Sequence, residues 1–230
     1  MSFSSTTYLT LGLLLFSFYQ NQLYNHFVLS KLYFRGNVIF LPDRVNPMAL
    51  NNNRKTKIKV RELRQRDFDE VVGNYYNAYD EVKRNPWLGI NLFSEKPSMK
   101  DERKWFRDAV ERTRKGDGFA LVAEVDGKVV GISDVRNKTP QQEQRHVGAV
   151  GIYVLEGYRS SGVGSALLSS LIKTAKEQGK YEILVLSVFG NNEHAQNLYR
   201  KLGFVEFGTL PNGIKRNGEC VNEIYMYRRL

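Results

Sequence analysis

Polar and apolar residues alternate along several short segments in the middle of the chain, as they do in half-buried strands. KIKVREL, which begins at Lys57, is one such run, and FALVAEV and KVVGISDVR are two more, separated by Asp126-Gly127. An Asp-Gly pair between alternating runs strongly favours a tight β-hairpin. HVGAVGIYVL and YEILVLSVF are continuously apolar, which is typical of buried strands, and two closing strands surround NGIKRNGE.

Apolar residues three and four positions apart predict helices between these strands. Asp67 and Glu70 have the capping-box spacing and open DFDEVVGNYYNAYDEVKR, and Ser98 with Asp101 opens a second helix through KWFRDAVERTRKG. SALLSSLIKTAKEQG follows YRSSGVG as a third helix, and a short fourth begins near Asn192. The order is therefore β-α-α-β-β-β-α-β-α-β-β, an α/β fold with a mixed, mostly antiparallel central sheet flanked by helices.

The first 47 residues differ in composition from the rest. Residues 1–30 carry no Lys, Arg, Asp or Glu, and QNQ interrupts the apolar run TYLTLGLLLFSFY well before the ~20 residues that a membrane helix needs. A secretory signal would have a basic start and a cleavage site, and neither is evident. We expect residues 1–47 to be an extension outside the fold, with a membrane tether as the alternative, and residues 48–230 to form the domain.

Composition and charge narrow the function classes. The 230 residues are 42% hydrophobic and 25% charged, the balance of a folded domain and not of a disordered chain. Cys220 is the only cysteine, so no internal disulfide can form, and we expect a cytoplasmic protein. The formal net charge of +10 favours an anionic partner. No nucleic-acid recognition motif accompanies this charge, so we predict no nucleic-acid partner and no membrane association.

The stretch YRSSGVG resembles a phosphate-binding turn at the start of a helix. A P-loop would have lysine where Ser165 stands, and a dinucleotide fingerprint would have a small residue where Leu167 stands. The remaining interpretation is a pyrophosphate held by successive backbone N–H groups at a helix N-terminus, with Arg159 as a nearby cation. An ordinary glycine-containing turn between a strand and a helix is the structural alternative.

The residues around this turn decide between the two interpretations. RSSGVG, with IYV before it and NNEHAQNLYRKLGF after the next strand, closely resembles the GNAT superfamily of N-acetyltransferases from Lys57 to Leu230. The resemblance implies a GNAT-like fold and acetyl-CoA as acetyl donor. It also implies that the loop binds the pyrophosphate, that the preceding strand pairs with the pantetheine arm, and that Asn192 hydrogen-bonds this arm. The implied cofactor-binding residues are Ile152, Tyr153, Val154, Arg159, Ser160, Ser161, Gly162, Val163, Gly164, Ser165 and Asn192.

Acetyl transfer to an amine needs a proton donor for the thiolate and a base for the incoming ammonium. The resemblance implies that Tyr199 is the donor; a core tyrosine is the structural alternative. Many relatives carry a glutamate base at the position of Ala149, so the base here is open. His146 is the first candidate because it begins the same strand, and Glu124 and Asp134 could act from neighbouring strands through water. We predict no metal.

The amine itself is not specified by these motifs. We predict transfer to a primary amine, which could be a protein N-terminus, a lysine, an amino acid or another small molecule. NPWLGINLFSE, with Trp87 and Phe93, and the closing turn LPNGIKRNGE are expected to form the walls of the acceptor site. The alternative function is a non-catalytic acyl-CoA-binding or regulatory module, suggested by Ala149. A homodimer is compatible with the sequence.

Overall fold

The computed structural model describes residues 57–230, and the predicted order of elements is confirmed there. The predicted extension 1–47 and the start at Met48 lie outside the described residues. The strands are β1 Ile58–Glu62, β2 Gly118–Val125, β3 Lys128–Asn137, β4 Val147–Val154, β5 Ile183–Phe189, β6 Val205–Arg216 and β7 Glu219–Arg229. The helices are α1 Phe68–Arg84, α2 Met99–Lys115, α3 Val163–Gln178 and α4 Glu193–Lys201, with 3-10 turns at Gln65–Asp67 and Gln142–Gln144.

The seven strands form one sheet in the order β1-β2-β3-β4-β5-β7-β6. β4 and β5 are parallel, with α3 as the crossover between them, and all other neighbouring strands are antiparallel. The mixed, mostly antiparallel sheet predicted from the sequence is therefore confirmed. The Asp126-Gly127 hairpin is confirmed as well, since both residues have the positive φ of 50° and 81° that such a tight turn requires.

Two hydrophobic cores cover the two faces of the sheet. α1 and α2 cover one face, where Phe68 and Phe106 meet edge to face at 5.3 Å over Ala120 and Val122 of β2. α3 covers the other face, together with Tyr199 of α4. The residues of α3 buried in this second core have the helical spacing expected from the sequence, namely Leu167, Leu168, Leu171, Ile172 and Ala175.

The predicted capping box at the start of α1 is wrong. The Asp67 carboxylate accepts hydrogen bonds from the Arg64 N–H and the Arg61 guanidinium, at 2.8 and 2.7 Å. Glu70 instead accepts from the backbone N–H of Val129, 59 residues away, at 2.7 Å. Partners outside this helix therefore replace the reciprocal Asp67–Glu70 contacts: Asp67 is 2% exposed and forms a charge-assisted hydrogen bond with Arg61, and Glu70 reaches β3. The cap predicted at Ser98 is confirmed.

The closing segment is more regular than the sequence indicated. LPNGIKRNGE was expected to be a turn, but β6 continues to Arg216 and β7 begins at Glu219. The turn is confined to Asn217 and Gly218, whose φ values are 53° and 87°. A register irregularity between Leu210 and Ile214 accommodates the Pro-Asn-Gly sequence within the strand.

Candidate active site

The sheet opens between β4 and β5. These parallel strands are paired only at Val147, Gly148 and Ala149 of β4, opposite residues 183–185 of β5. The other edge of β4 stays paired with β3 as far as Val154. The last five residues of β4 therefore have a neighbour on one side and an open edge on the side of β5.

The alternation of the strand determines which backbone groups face this opening. The Val147 carbonyl accepts from Lys138, and the Leu155 N–H donates to Val130, so odd-numbered residues of β4 direct their backbone groups toward β3. Ile152 and Val154 consequently direct theirs toward the gap. An extended ligand can add to such an edge as an extra strand. Tyr153, which is opposite Ile132 on β3, directs its backbone away from the gap.

The loop that follows β4 ends in an exposed helix N-terminus. Ser160 and Gly162 adopt positive φ values of 60° and 91°, and Gly162 is the N-cap of α3 without any side-chain cap. The first N–H groups of an α-helix have no partner within the helix. The N–H groups of Val163, Gly164 and Ser165 are thus available to an anion at the positive end of the helix dipole.

Gly164 lies where a side chain would meet the neighbouring helix α4. A β-carbon at this position would lie 3.2 Å from Leu198 Cδ2 on α4, which is closer than an ordinary van der Waals contact. The absence of a side chain therefore lets α4 approach the first turn of α3. The sequence suggested close approach of anionic oxygen as the reason for this glycine, and the structure adds a second reason.

Arg159 is held by protein groups. Its Nε donates to the Val154 carbonyl at 2.9 Å, Nη2 donates to Glu81 Oε2 at 2.8 Å, and Nη1 pairs with the other oxygen of Glu81. The Glu81 side chain is 6% exposed and that of Arg159 is 29% exposed. Burial acts to lower the pKa of Arg159, but its hydrogen bonds and charge interaction with Glu81 raise it overall. This ion pair connects the glycine loop to α1, and no sequence pattern indicated Glu81 as the partner.

Tyr199 lies in the core beneath the opening. It is 7% exposed, and its ring contacts Phe204 edge to face at 5.9 Å. Burial raises the pKa of Tyr199 to about 12, so its hydroxyl stays protonated at neutral pH. At the other end of α4, the Asn192 side chain caps the helix by accepting from the Ala195 N–H at 3.1 Å. A β-carbon at Gly89 would lie 2.3 Å from Asn192 Nδ2, so the expected acceptor loop touches Asn192.

The two expected walls of the acceptor site are bonded to each other. Arg216, at the end of β6, donates to the Ile90 carbonyl at 2.8 Å and to the Pro86 carbonyl. Its guanidinium lies over the ring of Phe189, 5.4 Å from the centroid, at the end of β5. Trp87 Nε1 also donates to Glu219 Oε2 at 3.1 Å. Sequence reasoning missed Arg216, because its partners are carbonyls and no side-chain pattern identifies them.

Two of the candidate bases are poorly placed. Glu124 accepts from Arg61 Nε at 2.8 Å, and this hydrogen bond is the main cause that lowers the pKa of Glu124. His146 lies at the opposite end of β4 from the glycine loop, eight residues before Val154, or about 26 Å at ~3.3 Å per strand residue. Its carbonyl accepts from Glu182 and Ile183 where β4 and β5 are still paired.

Metal sites and membrane spans were sought in the same part of the chain. Within residues 57–230 no group of three His, Cys, Asp or Glu side chains is close enough to hold a metal ion. None of the helices between residues 57 and 230 is long and apolar enough to cross a membrane.

An open strand edge beside an uncapped helix N-terminus suits an extended, phosphorylated ligand. The acetyltransferase (GNAT) family model matches residues 77–204, and the chain belongs to this family of acetyl-CoA-dependent N-acetyltransferases. The L-amino acid N-acetyltransferase AaaT of Escherichia coli is 36% identical over 175 residues, which cover 75% of this chain and 98% of that protein. An N-alpha-acetyltransferase of Sulfurisphaera tokodaii is 39% identical over 110 residues, 44% of this chain and 65% of the relative.

The fold is similar to solved structures of the family. A GNAT superfamily phosphinothricin acetyltransferase from Sinorhizobium meliloti, in complex with acetyl-CoA, superimposes with a TM-score of 0.65 and 21% identity. The alignment covers 75% of this chain and 88% of that one.

Proposed function

We propose that this enzyme transfers the acetyl group of acetyl-CoA to the α-amino group of a free amino acid or a close analogue. The observation that carries the proposal is the open edge of β4 at Ile152 and Val154, directly before the uncapped N-terminus of α3. That edge suits an extended pantetheine arm, and the helix N-terminus suits its pyrophosphate. When bound, acetyl-CoA would supply an electrophilic thioester carbonyl.

The residues have separate roles in this proposal. The backbone of Ile152 and the N–H of Val154 bind the arm, and Asn192 approaches it from the start of α4, while the Val154 carbonyl stays bonded to Arg159. The loop and the first turn of α3 bind the pyrophosphate through N–H groups, with Gly162 providing the αL conformation. Tyr199 donates a proton to the departing sulfur. Its raised pKa, about 12, keeps the proton available throughout the neutral range.

The acceptor is proposed to be small because the two walls of its site are tied together. Arg216 bonds the loop after α1 to the end of β6, and the Trp87–Glu219 hydrogen bond adds a second connection. A long peptide would have to pass between these walls, whereas a free amino acid would not. The relative that aligns over 98% of its length is named as an L-amino acid N-acetyltransferase. A protein N-terminus is the second candidate, favoured by the N-alpha-acetyltransferase relative.

Two measurements test the proposal. Calorimetry with acetyl-CoA should detect binding, and a thiol-release assay against free amino acids, short peptides with free N-termini, polyamines and lysine peptides should detect turnover. We expect free amino acids to have the highest kcat/KM. Turnover of peptides alone would support the second candidate and overturn the first.

A non-catalytic acyl-CoA-binding module is the other alternative, because Ala149 lacks the carboxylate that many relatives carry. It predicts tight acetyl-CoA binding without thiol release for any amine in the panel. That result would overturn the amine specificity and the proton-transfer roles together, while leaving the cofactor-binding roles intact.

We further propose that residues 48–230 form the functional domain and that residues 1–47 are not needed for it. A chain beginning at Met48 should bind acetyl-CoA and unfold at the same temperature as the full chain. Aggregation or loss of acetyl-CoA binding on truncation would contradict this boundary. Recovery of the full chain, but not the shorter one, with membranes would support the tether.

A further inference from the structure

Asp134 of β3 lies across the backbone of β4. It is the direct partner of Gly151 in the antiparallel register, so the two residues share a face of the sheet. A β-carbon at Gly151 would lie 2.6 Å from Asp134 Oδ1, which means that the carboxylate occupies the space a side chain would take. The other oxygen, Oδ2, accepts from Arg136 Nη1 at 2.9 Å. Oδ2 is thus hydrogen-bonded to Arg136, and Oδ1 lies against the backbone of β4.

This position adjoins the opening in the sheet. The pairing of β4 with β5 ends at Ala149, and Gly151 is the next residue of β4 on the same face. Asp134 is directly opposite Ala120, which belongs to the core under α1 and α2. The carboxylate is therefore on the α1–α2 face, from which the acceptor loop also extends, whereas Tyr199 belongs to the core on the α3 face.

The proton that leaves the amine needs a carboxylate or imidazole close to this opening. Ala149 offers only a methyl group, Glu124 is paired with Arg61, and His146 lies at the far end of β4. The side-chain charge in contact with Asp134 is Arg136, and Tyr181 interacts with it at longer range. Asp134 Oδ2 is bonded to Arg136, and within residues 57–230 Oδ1 has no hydrogen-bond donor other than those a substrate or a water could bring to this edge of β4.

We propose that Asp134 is the general base of the reaction and replaces the glutamate that position 149 lacks. The inference rests on the proposed acetyltransferase function. Asp134 accepts one proton from the substrate ammonium, directly or through a water, and releases it to solvent. The neutral nitrogen then forms a bond to the carbonyl carbon, the C–S bond breaks with its electron pair on sulfur, and Tyr199 protonates that sulfur. The second proton lost by nitrogen reprotonates Tyr199, and the third stays on the amide.

The decisive experiment compares Asp134→Asn with Asp134→Asn/Ala149→Glu. The second variant restores a carboxylate on the same face of β4, two residues before Gly151. Asp134→Asn should lower kcat by about 10²-fold or more, the lower end of the range for general base catalysis, without changing acetyl-CoA affinity. Its kcat/KM should rise steeply with pH up to the pKa of the substrate amine, because only free amine can then react. Ala149→Glu should recover at least tenfold in kcat and flatten that pH profile.

Glu124→Gln is the matched control, since it removes a carboxylate from the neighbouring strand and should leave kcat unchanged. If Asp134→Asn fails to fold, Asp134→Asn/Arg136→Gln removes both partners of the ion pair and carries the same test. A wild-type kcat in Asp134→Asn or in Asp134→Asn/Arg136→Gln would overturn the assignment of Asp134 as the base. A lowered kcat that keeps the wild-type pH profile and is not recovered by Ala149→Glu would overturn it as well. If the wild-type enzyme binds acetyl-CoA but acetylates no amine, the proposed function is contradicted, and the assignment of Asp134 as its general base is contradicted as a consequence.

Discussion

The Glu81–Arg159 pair gives two opposed expectations for the variant Arg159→Ala. If Arg159 contacts the cofactor pyrophosphate, as the family resemblance implies, its loss should weaken acetyl-CoA binding by about 1.5–3 kcal/mol and hardly affect folding. If the main role of Arg159 is structural, connecting the glycine loop to α1, its loss should destabilise the protein. The geometry favours the second role, because all three donor nitrogens of the guanidinium are bonded to Glu81 or to the Val154 carbonyl.

The size of the effect follows from the burial of each partner. Arg159→Ala leaves the Glu81 carboxylate, 6% exposed, without its cation, and breaking a buried pair in this way costs about 3–5 kcal/mol. Glu81→Gln leaves Arg159, which is 29% exposed and still bonded to Val154, so we expect a smaller cost of about 1–3 kcal/mol. The double variant Glu81→Gln/Arg159→Gln leaves no buried charge and should recover part of the loss.

Urea unfolding measures the free energy of unfolding, and calorimetry measures acetyl-CoA affinity for the same variants. Glu156→Gln is the matched control, because its pair with Arg84 joins the same loop and helix but is exposed on both sides, and it should cost about 1 kcal/mol or less. Unchanged stability of Arg159→Ala, combined with a lower acetyl-CoA affinity, would refute the structural role and support a contact between Arg159 and the pyrophosphate. A double variant less stable than the sum of its singles would contradict the pairwise reasoning.

Three further predictions concern the other residues of the site. Tyr199→Phe should lower kcat by about 10²–10³-fold at nearly constant acetyl-CoA affinity, and full turnover with chemistry rate-limiting would leave Tyr199 a packing residue. Arg216→Ala should raise KM for the acceptor and not for acetyl-CoA, and Arg216→Lys should be intermediate. Steady-state kinetics with each substrate varied measures both KM values. An equal rise in both would show that the connection between the walls does not position the acceptor. Burial raises the pKa of Tyr199 and of Tyr181 from 10.0 to about 12. The contribution of these two groups to the free energy of unfolding is therefore present below pH 10 and lost as the pH rises to about 12. Urea unfolding between these pH values should show a smaller loss in Tyr199→Phe than in the wild type.

The sequence was sufficient for the elements because their signals are local. Strand alternation, helical spacing, the Asp126-Gly127 pair and the Ser98 cap each depend on residues within one turn or one strand, and each prediction is confirmed. Where a residue finds a distant partner, local patterns fail. Asp67 and Glu70 have the spacing of a capping box, yet Glu70 binds the N–H of Val129, 59 residues away.

The same reasoning explains what the site's motif could and could not predict. RSSGVG predicts the loop because its conformation, including the αL position at Gly162, is encoded in six consecutive residues. Nothing in those residues indicates that Arg159 will meet Glu81, 78 residues away along the chain. A motif therefore predicts which backbone is exposed to a ligand better than it predicts where a long charged side chain will find its partner.

The opening of the sheet shows most clearly what requires three-dimensional structure. The sequence suggested that Ile152, Tyr153 and Val154 all pair with the ligand, since all three belong to the matching strand. Backbone groups alternate in direction along a strand, so one edge can use only every second residue. The hydrogen bond from Leu155 to Val130 fixes the odd residues toward β3 and leaves Ile152 and Val154 facing the gap. Tyr153 directs its backbone toward β3, and its side chain lies beside the Arg159 guanidinium on the α1–α2 face.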